Sequence, residues 1–472
     1  MSLLSSPGAR LLLCTTALVL VLPGCAPVKV PVLQQDVPAA WTHASAAPRA
    51  PAPDLRNWWK SFGDARLDAL VDEALSRNLE LAQATSRLRQ ARQMAITERA
   101  GYLPSLSLNQ QVLQDVSATD SYLHISLDAT WELGLFGARE SVRQVAQAEI
   151  DSSAAAAQGV RVSTVAEVVR NYLDLRAAQQ QLALLDRLAT LDGRSAELTA
   201  VRVRTRLAPA GDATLAEARA AQTRAAMAAP RQAVVQASQA LAVLTGRLAP
   251  DPAWLATAPQ PVLGAVAITQ VPADLLRVRP DVQKAEAAVL DAAGQYGIAR
   301  AALYPHISLG ASYLYAFNIT QNRRTTTDHL PLFGPMIDLP LFDWGQRRAR
   351  ADMRSDAIDT ALLAYRQAVL EGVSDTETAL SALEQQAERE THLDRAAAAL
   401  RRQADSQKTL ARNGLGSEYE QLGSERGAVL AAVEQANARA AHGQAFVSVY
   451  RALGGAPLPA DPAVASSEKA AP

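Results

Sequence analysis

Two rhythms of hydrophobic and polar positions alternate along this chain, and the pair of them occurs twice. The run from about Leu67 to Glu98 reads as a helix stopped before Gly101 and Pro104. A period of two then takes over. Leu123, Ile125, Leu127, Ala129 and Trp131 fall on one face, and Tyr122, His124, Ser126, Asp128 and Thr130 on the other. That alternation predicts a strand over about 122–131 with one face in apolar surroundings. A weaker alternation through Leu106, Leu108 and Val112 predicts a partner over about 105–114. The pattern returns at about 306–317, where Ile307, Leu309, Ala311, Tyr313, Tyr315 and Phe317 share a face, and at about 330–341, interrupted by Pro331, Pro335 and Pro340.

Between and after the strands the rhythm is helical. Arg139 to Thr205 contains no proline, and a helix of that length measures about 100 Å. Tyr172, Leu175, Ala178, Leu182, Leu185 and Ala189 step by three and four, the spacing of a coiled-coil seam. A second run of the same length spans about 346–411. Each breaks, at Pro209 and Gly211 or at Gly414 and Gly416, and the chain returns through Asp212–Thr245 or Ser417–Ala452. These are two antiparallel helical hairpins, over about 139–247 and 346–453.

The wording repeats as well as the rhythm. Arg99-Ala-Gly-Tyr-Leu-Pro-Ser-Leu-Ser-Leu108 returns as Arg300-Ala-Ala-Leu-Tyr-Pro-His-Ile-Ser-Leu309, 201 positions on. Glu132-Leu-Gly-Leu-Phe-Gly-Ala-Arg139 returns as Leu339-Pro-Leu-Phe-Asp-Trp-Gly-Gln-Arg-Arg348. Gly211 pairs with Gly416 at 205 and Gly246 with Gly455 at 209. A period near 200 exceeds solenoid units of roughly 20–50 residues and reads as a duplicated half-domain. The halves span 58–260 and 261–455. Strands of about ten residues suit a tilted transmembrane barrel wall. Four cannot close a barrel with an open lumen, so other copies of the chain must complete it. A soluble sandwich with these strands in its core is the competing reading.

Composition narrows this further. The chain of 472 residues is 49% hydrophobic but only 5% aromatic and rich in alanine, which suits helices packed closely along seams. A net charge of −1 implies no bulk attraction to nucleic acid. Leu11 to Leu22 is an apolar run too short to span a bilayer, behind Arg10 and followed by Pro23-Gly-Cys25. It reads as an export signal over 1–24, with Cys25 as the lipidated N-terminus. Cys14 lies inside that signal, so no pair of thiols is left for a disulfide or a metal site. Residues 25–57, rich in proline and alanine, read as an extended tether, and 456–472 as a disordered tail. The six histidines (His43, His124, His306, His329, His392 and His442) show no metal-ligand spacing. No phosphate loop or nucleophile group stands out, so neither a cofactor nor an enzymatic activity is expected.

Six motifs, in order, carry a resemblance. They are Trp58-Trp-Lys-Ser-Phe-Gly-Asp64, Trp131-Glu-Leu-Gly-Leu-Phe-Gly137, Leu207-Ala-Pro-Ala-Gly-Asp212, Arg279-Pro-Asp-Val282, Ala302-Leu-Tyr-Pro-His-Ile-Ser-Leu309 and Pro340-Leu-Phe-Asp-Trp-Gly-Gln-Arg-Arg348. With the repeat, the chain resembles the TolC-like outer-membrane efflux factors, and within them the lipoprotein branch of OprM and NodT type. The resemblance implies a homotrimer, four strands per protomer in one twelve-stranded outer-membrane barrel and the hairpins in a common periplasmic α-barrel. It implies a passive exit duct of a tripartite efflux or secretion system, with a periplasmic adaptor protein and an inner-membrane pump as partners.

In such a family the periplasmic end is closed by residues just past the second helix break. Aligned on Gly414, the usual aspartate falls on Gly423, where this chain departs from the pattern, and the equivalent slot in the first hairpin holds Thr214. Glu420 aligns with a second acidic position and Tyr419 with an apolar plug, so a ring of Glu420 with a Tyr419 constriction is the substitute expected. Solvated helix charges are the alternative for Glu418, Glu420 and Glu425. Arg206, Leu207 and Ala208 on one tip, and Arg412, Asn413, Gly414 and Leu415 on the other, match the adaptor-docking region. The reading from another class is a structural periplasmic coiled-coil lipoprotein tether, which has no use for strands with an apolar side.

Overall fold

The computed structural model describes residues 33, 41–43, 56–113, 122–264, 277–318 and 328–455. The 1–24 signal, Cys25, most of the 25–57 tether, Gln114 and the 456–472 tail lie outside the described residues.

A 3-10 turn at Trp58–Phe62 leads into α1 (Ala65–Arg77) and α2 (Leu79–Ala100). Strands β1 (Ser105–Leu113) and β2 (Tyr122–Glu132) follow, then α3 (Ala138–Arg204), α4 (Ala210–Ala226), α5 (Ala228–Leu244) and the short α6 (Pro252–Leu255). The second half has α7 (Pro280–Ala301), β3 (His306–Asn318), β4 (Asp328–Asp338), α8 (Gln346–Arg412) and α9 (Glu418–Ala452). Two compact units divide the described residues, one within 33, 86–155 and 283–368, the other within 41–43, 56–85, 156–264, 277–282 and 369–455.

The first unit holds one four-stranded antiparallel sheet in the order β1-β2-β3-β4. Its register runs level across all four strands: Leu108 faces Leu127, Leu127 faces Tyr313, and Tyr313 faces Pro331. The fourth strand starts two residues earlier than its pattern predicts and stops before Pro340. Within the single chain β4 is an outer strand, where prolines are tolerated. In the same unit α7 lies hard against α3. A Cβ on Gly294 would fall 2.6 Å from Val145 Cγ2, so only glycine permits this approach.

The second unit carries an aromatic core. Trp58 stacks on Tyr450 at 5.0 Å and meets Phe446 edge-on at 6.0 Å. Asp64 caps α1 and accepts the Tyr172 hydroxyl at 2.6 Å. Burial, reinforced by that bond, pushes the Tyr172 phenol up to about 12. The predicted seam is buried as expected at Tyr172, Leu175, Ala178 and Leu185. Arg279 explains the Arg-Pro-Asp-Val motif. It donates to the carbonyls of Ala452 at 2.6 Å and Gly372 at 3.3 Å, and to Asp281 at 2.7 Å and Asp375 at 3.1 Å, tying the start of α7 to α8 and α9. Although burial pushes the Asp281 carboxyl up, the bonds from Arg279 hold it below its usual range.

The duplication is visible in the backbone itself. Phe136 and Gly137 have positive φ, and so do Trp344 and Gly345, 208 positions later. Arg206 and Gly414 end α3 and α8 in the same left-handed conformation, again 208 apart. Gly246 corresponds to Gly454 rather than to Gly455, because both accept the cap geometry that closes the returning helix. Before the strands the offset is 201: Tyr102 N–H to Arg99 C=O is matched by Leu303 N–H to Arg300 C=O. The seven-residue difference is taken up within the strand hairpins.

Two predicted helices are divided. The 67–98 run breaks at Asn78, whose side chain accepts from the Leu81 N–H at 2.9 Å and donates to the Leu244 carbonyl at 3.0 Å. The return of the first hairpin breaks at Met227, because Pro230 has no N–H to bond back into the preceding turn. The second hairpin has Ala438 at the matching position, and α9 runs unbroken.

Candidate functional site

Two features of the described residues are built for something beyond packing: the sheet and the helix breaks. On one face of the sheet the level rows hold Leu106, Leu108 and Val112; Ile125, Leu127 and Trp131; Leu309, Tyr313 and Phe317; and Phe333 and Ile337. Many are open in the single chain, Leu108 at 72% and Phe333 at 82%. Apolar surface this continuous is an interaction face. The opposite face carries Ser105, Ser107 and Asn109, then Ser126, Asp128 and Thr130, then Ser308 and Ser312, and turns apolar at β4 with Leu330, Leu332 and Met336. Both outer strands leave their second edge unpaired within the chain. One continuous apolar face, a second face that is polar across β1, β2 and the first part of β3, and two open edges describe a segment of barrel wall.

At the helix breaks the docking candidates lie in two copies of one cap. The Leu207 N–H donates to the Arg202 carbonyl at 2.7 Å, and the Leu415 N–H to the Leu410 carbonyl at 2.9 Å. Arg206 takes φ 59° and Gly414 φ 72°. Each cap therefore projects an apolar side chain, Leu207 at 71% and Leu415 at 74% exposure. Ala208 is half-buried, while Arg206, Arg412 and Asn413 are exposed.

Just beyond, α9 opens with a capping box. Ser417 Oγ accepts the Glu420 N–H at 3.2 Å, and Glu420 Oε2 accepts the Ser417 N–H at 3.1 Å. These bonds to Ser417 hold the Glu420 carboxyl below its usual range. Glu418 takes the Arg194 guanidinium at 2.8 Å, and the Arg202 guanidinium lies 4.7 Å from the Tyr419 ring centre. Glu425 meets Arg187 at 3.7 Å. All three acids are engaged, Glu418 and Glu425 with α3 and Glu420 within its own helix cap. Gly423 stands in open space. Asp192, further back on α3, is buried and accepts Arg426 Nε at 2.8 Å and Thr223 Oγ1 at 2.6 Å, joining three helices.

The backbone register changes one assignment. Pro209 and Ser417 are N-caps 208 positions apart, so the first-hairpin counterpart of Glu420 is Asp212, and Thr214 corresponds to the buried Leu422. Alignment on the glycines of the break, which stand 205 apart, conceals Asp212. Its signal was its distance of three from a helix N-cap.

The sequence profile of the outer membrane efflux protein family matches residues 70–247 and 271–455. Among curated proteins, the pyoverdine export outer membrane protein OpmQ of Pseudomonas aeruginosa is 30% identical over 376 residues, covering 74% of this chain and 76% of its own length. Nodulation protein T of Rhizobium leguminosarum bv. viciae is 29% identical, covering 69% of each chain. The solved outer-membrane channel OprN superposes with a TM-score of 0.77 at 27% identity, over 91% of this chain and 99% of its own. The open state of the Neisseria gonorrhoeae MtrE channel does so with a TM-score of 0.76 at 26% identity, over 91% and 98%.

Proposed function

Because this chain belongs to the outer membrane efflux protein family, we propose that it is the exit duct of a tripartite system, drawing its energy from an inner-membrane pump reached through a periplasmic adaptor protein. Three copies close a twelve-stranded barrel in the outer membrane, and their hairpins form a common periplasmic α-barrel. The observation that carries this reading is the four-stranded sheet with one apolar face and two open edges, built from one hairpin of each half in a chain whose both halves match the family. A coiled-coil tether leaves that sheet without a purpose. Residues 58–260 and 261–455 are the two structural halves of the duct.

Cys25 carries the acyl anchor after removal of residues 1–24, and 25–57 tether it to the folded body. The caps at Arg206, Leu207 and Ala208, and at Arg412, Asn413, Gly414 and Leu415, receive the adaptor through their paired apolar tips. Tyr419 and Glu420 line the periplasmic constriction, with Thr214 and Gly423 at its margin. The export named for OpmQ makes a small exported metabolite one reasonable cargo class.

Light scattering of the detergent-purified protein, followed by planar-bilayer recording, tests the duct. A stable trimer that conducts ions is expected. A monodisperse monomer that keeps its strand signal would overturn it, since open strand edges in a membrane leave backbone groups without partners.

A further inference from the structure

Asp128 stands on the polar face of the sheet, away from the strand ends where Glu132 and Asp338 lie. Its carboxylate accepts Ser312 Oγ at 2.5 Å, Ser126 Oγ at 2.6 Å and Asn109 Nδ2 at 2.8 Å. The donors come from β3, β2 and β1, so the group is held from three adjacent strands and cannot swing away. All three donors are neutral. The four strands contain no lysine or arginine, and the histidines on this face, His124 and His306, stand four and six positions along their strands from Asp128 and Ser312, so no strand residue pairs this charge with a cation.

A charge on the lipid side of such a wall costs about 2–4 kcal/mol at the bilayer midplane, which is the reason to find it on the polar side. A hydrogen-bond clamp could be made from serine and asparagine alone. An aspartate adds one thing they cannot, a fixed negative charge. An ion pair would cancel that charge, whereas hydroxyl and amide donors orient it and leave its field in place.

We propose that Asp128 is a specificity-determining residue of the duct: repeated in each copy around the closed barrel, it forms a ring of fixed carboxylates that favours cations and cationic solutes over anions. This rests on the barrel reading above. The ring acts through its field and not by binding, so its effect is confined by screening, with a reach of about 10 Å at 0.1 M salt and about 3 Å at 1 M.

The test is the reversal potential of the purified, full-length channel in planar bilayers under a potassium chloride gradient. Asp128→Asn keeps the shape and removes the charge. It should lower the cation-to-anion permeability ratio by about twofold at roughly 10 mM salt and leave it unchanged near 1 M. The double variant Ser126→Asp, Asp128→Ser returns a carboxylate to the same face one pleat along, and should recover the ratio. It also keeps the test decisive if Asp128→Asn assembles poorly. A normal ratio in an assembled Asp128→Asn channel, or no recovery in the double variant, would overturn the selectivity role while leaving the duct intact. A wild-type protein that forms no conducting oligomer would overturn the duct reading itself.

Discussion

The backbone N–H of Thr42 donates to Glu377 Oε1 at 2.7 Å, 335 positions away in sequence. The next N–H, of His43, reaches the other oxygen of the same carboxylate at 3.3 Å, and the His43 ring lies 3.6 Å from Glu384. Trp41 beside them is buried. One carboxylate on α8 thus grips consecutive peptide groups of the N-terminal segment, which the sequence alone presents as a plain tether. Glu377→Ala should release this grip, worth about 1 kcal/mol at an exposed site, and raise the rate of limited proteolysis before residue 56 about fivefold. Mass spectrometry of the fragments reads the site and the rate. An unchanged rate would mean that the segment is held by buried Trp41 and the His43 contact with Glu384.

Asp192 and Arg426 make a second testable pair, and an unequal one. Asp192 is 3% exposed at its side chain and Arg426 35%. Arg426→Ala strands a buried carboxylate with only the Thr223 hydroxyl, and should cost about 3 kcal/mol of local stability. Asp192→Asn keeps an acceptor for Thr223 and leaves an arginine that can turn to water, so it should cost clearly less. Hydrogen exchange along α9 would rank the two; the reverse order would contradict the burial argument.

Glu390 should give the hairpin of α8 and α9 a pH dependence. Its carboxylate lies 2.6 Å from His442 Nδ1 and accepts Arg439 Nε at 3.1 Å, while Arg439 also reaches Asp394 at 3.5 Å. The bond with His442, joined by Arg439, holds Glu390 below its usual 4.5. A depressed carboxylate stabilises the fold above its unfolded pKa, and that contribution is lost as pH falls through the folded value. Glu390→Gln should therefore destabilise the hairpin by about 2 kcal/mol at pH 7. The gap between variant and wild type should close as pH drops below 4.5, in hydrogen exchange or thermal unfolding scanned against pH. A gap that is constant down to strongly acid pH would show that the ion pairing is not its source.

The capping box separates two roles for Glu420. Glutamine can fill the same position in such a box, so Glu420→Gln removes charge and keeps the helix start, whereas Glu420→Ala removes both, at a cost of about 1 kcal/mol. If Glu420 lines the constriction, both variants should weaken cation selectivity in bilayer recordings. If it serves only as a cap, the glutamine variant should be indistinguishable from wild type. Tyr419→Ala should raise single-channel conductance and free Arg202 from its stacking; unchanged conductance would move the constriction elsewhere.

The strands, the two long helices and the duplication are legible in the order of residues, whereas the splits at Asn78 and Met227 interrupt helices that the periodicity carries through. Period-two alternation in β2 and β3, and the long helical runs expected to end near 205 and 411, are local statements about which side chains meet water, and the structure ends them within one residue, at Arg204 and Arg412. Tertiary structure decided whatever depends on groups distant in the chain or on backbone conformation. The 208-residue register shows in the helix caps and not in the break glycines Gly211 and Gly416, so Asp212 emerged opposite Glu420 only once the N-caps were in view. The break at Met227 was legible in Pro230, whose missing N–H is a local fact. The pairings of Thr42 with Glu377, Asp192 with Arg426 and Asp128 with Ser312 were not, because a hydrogen bond between residues 184 to 335 positions apart leaves no periodic trace in either stretch of sequence.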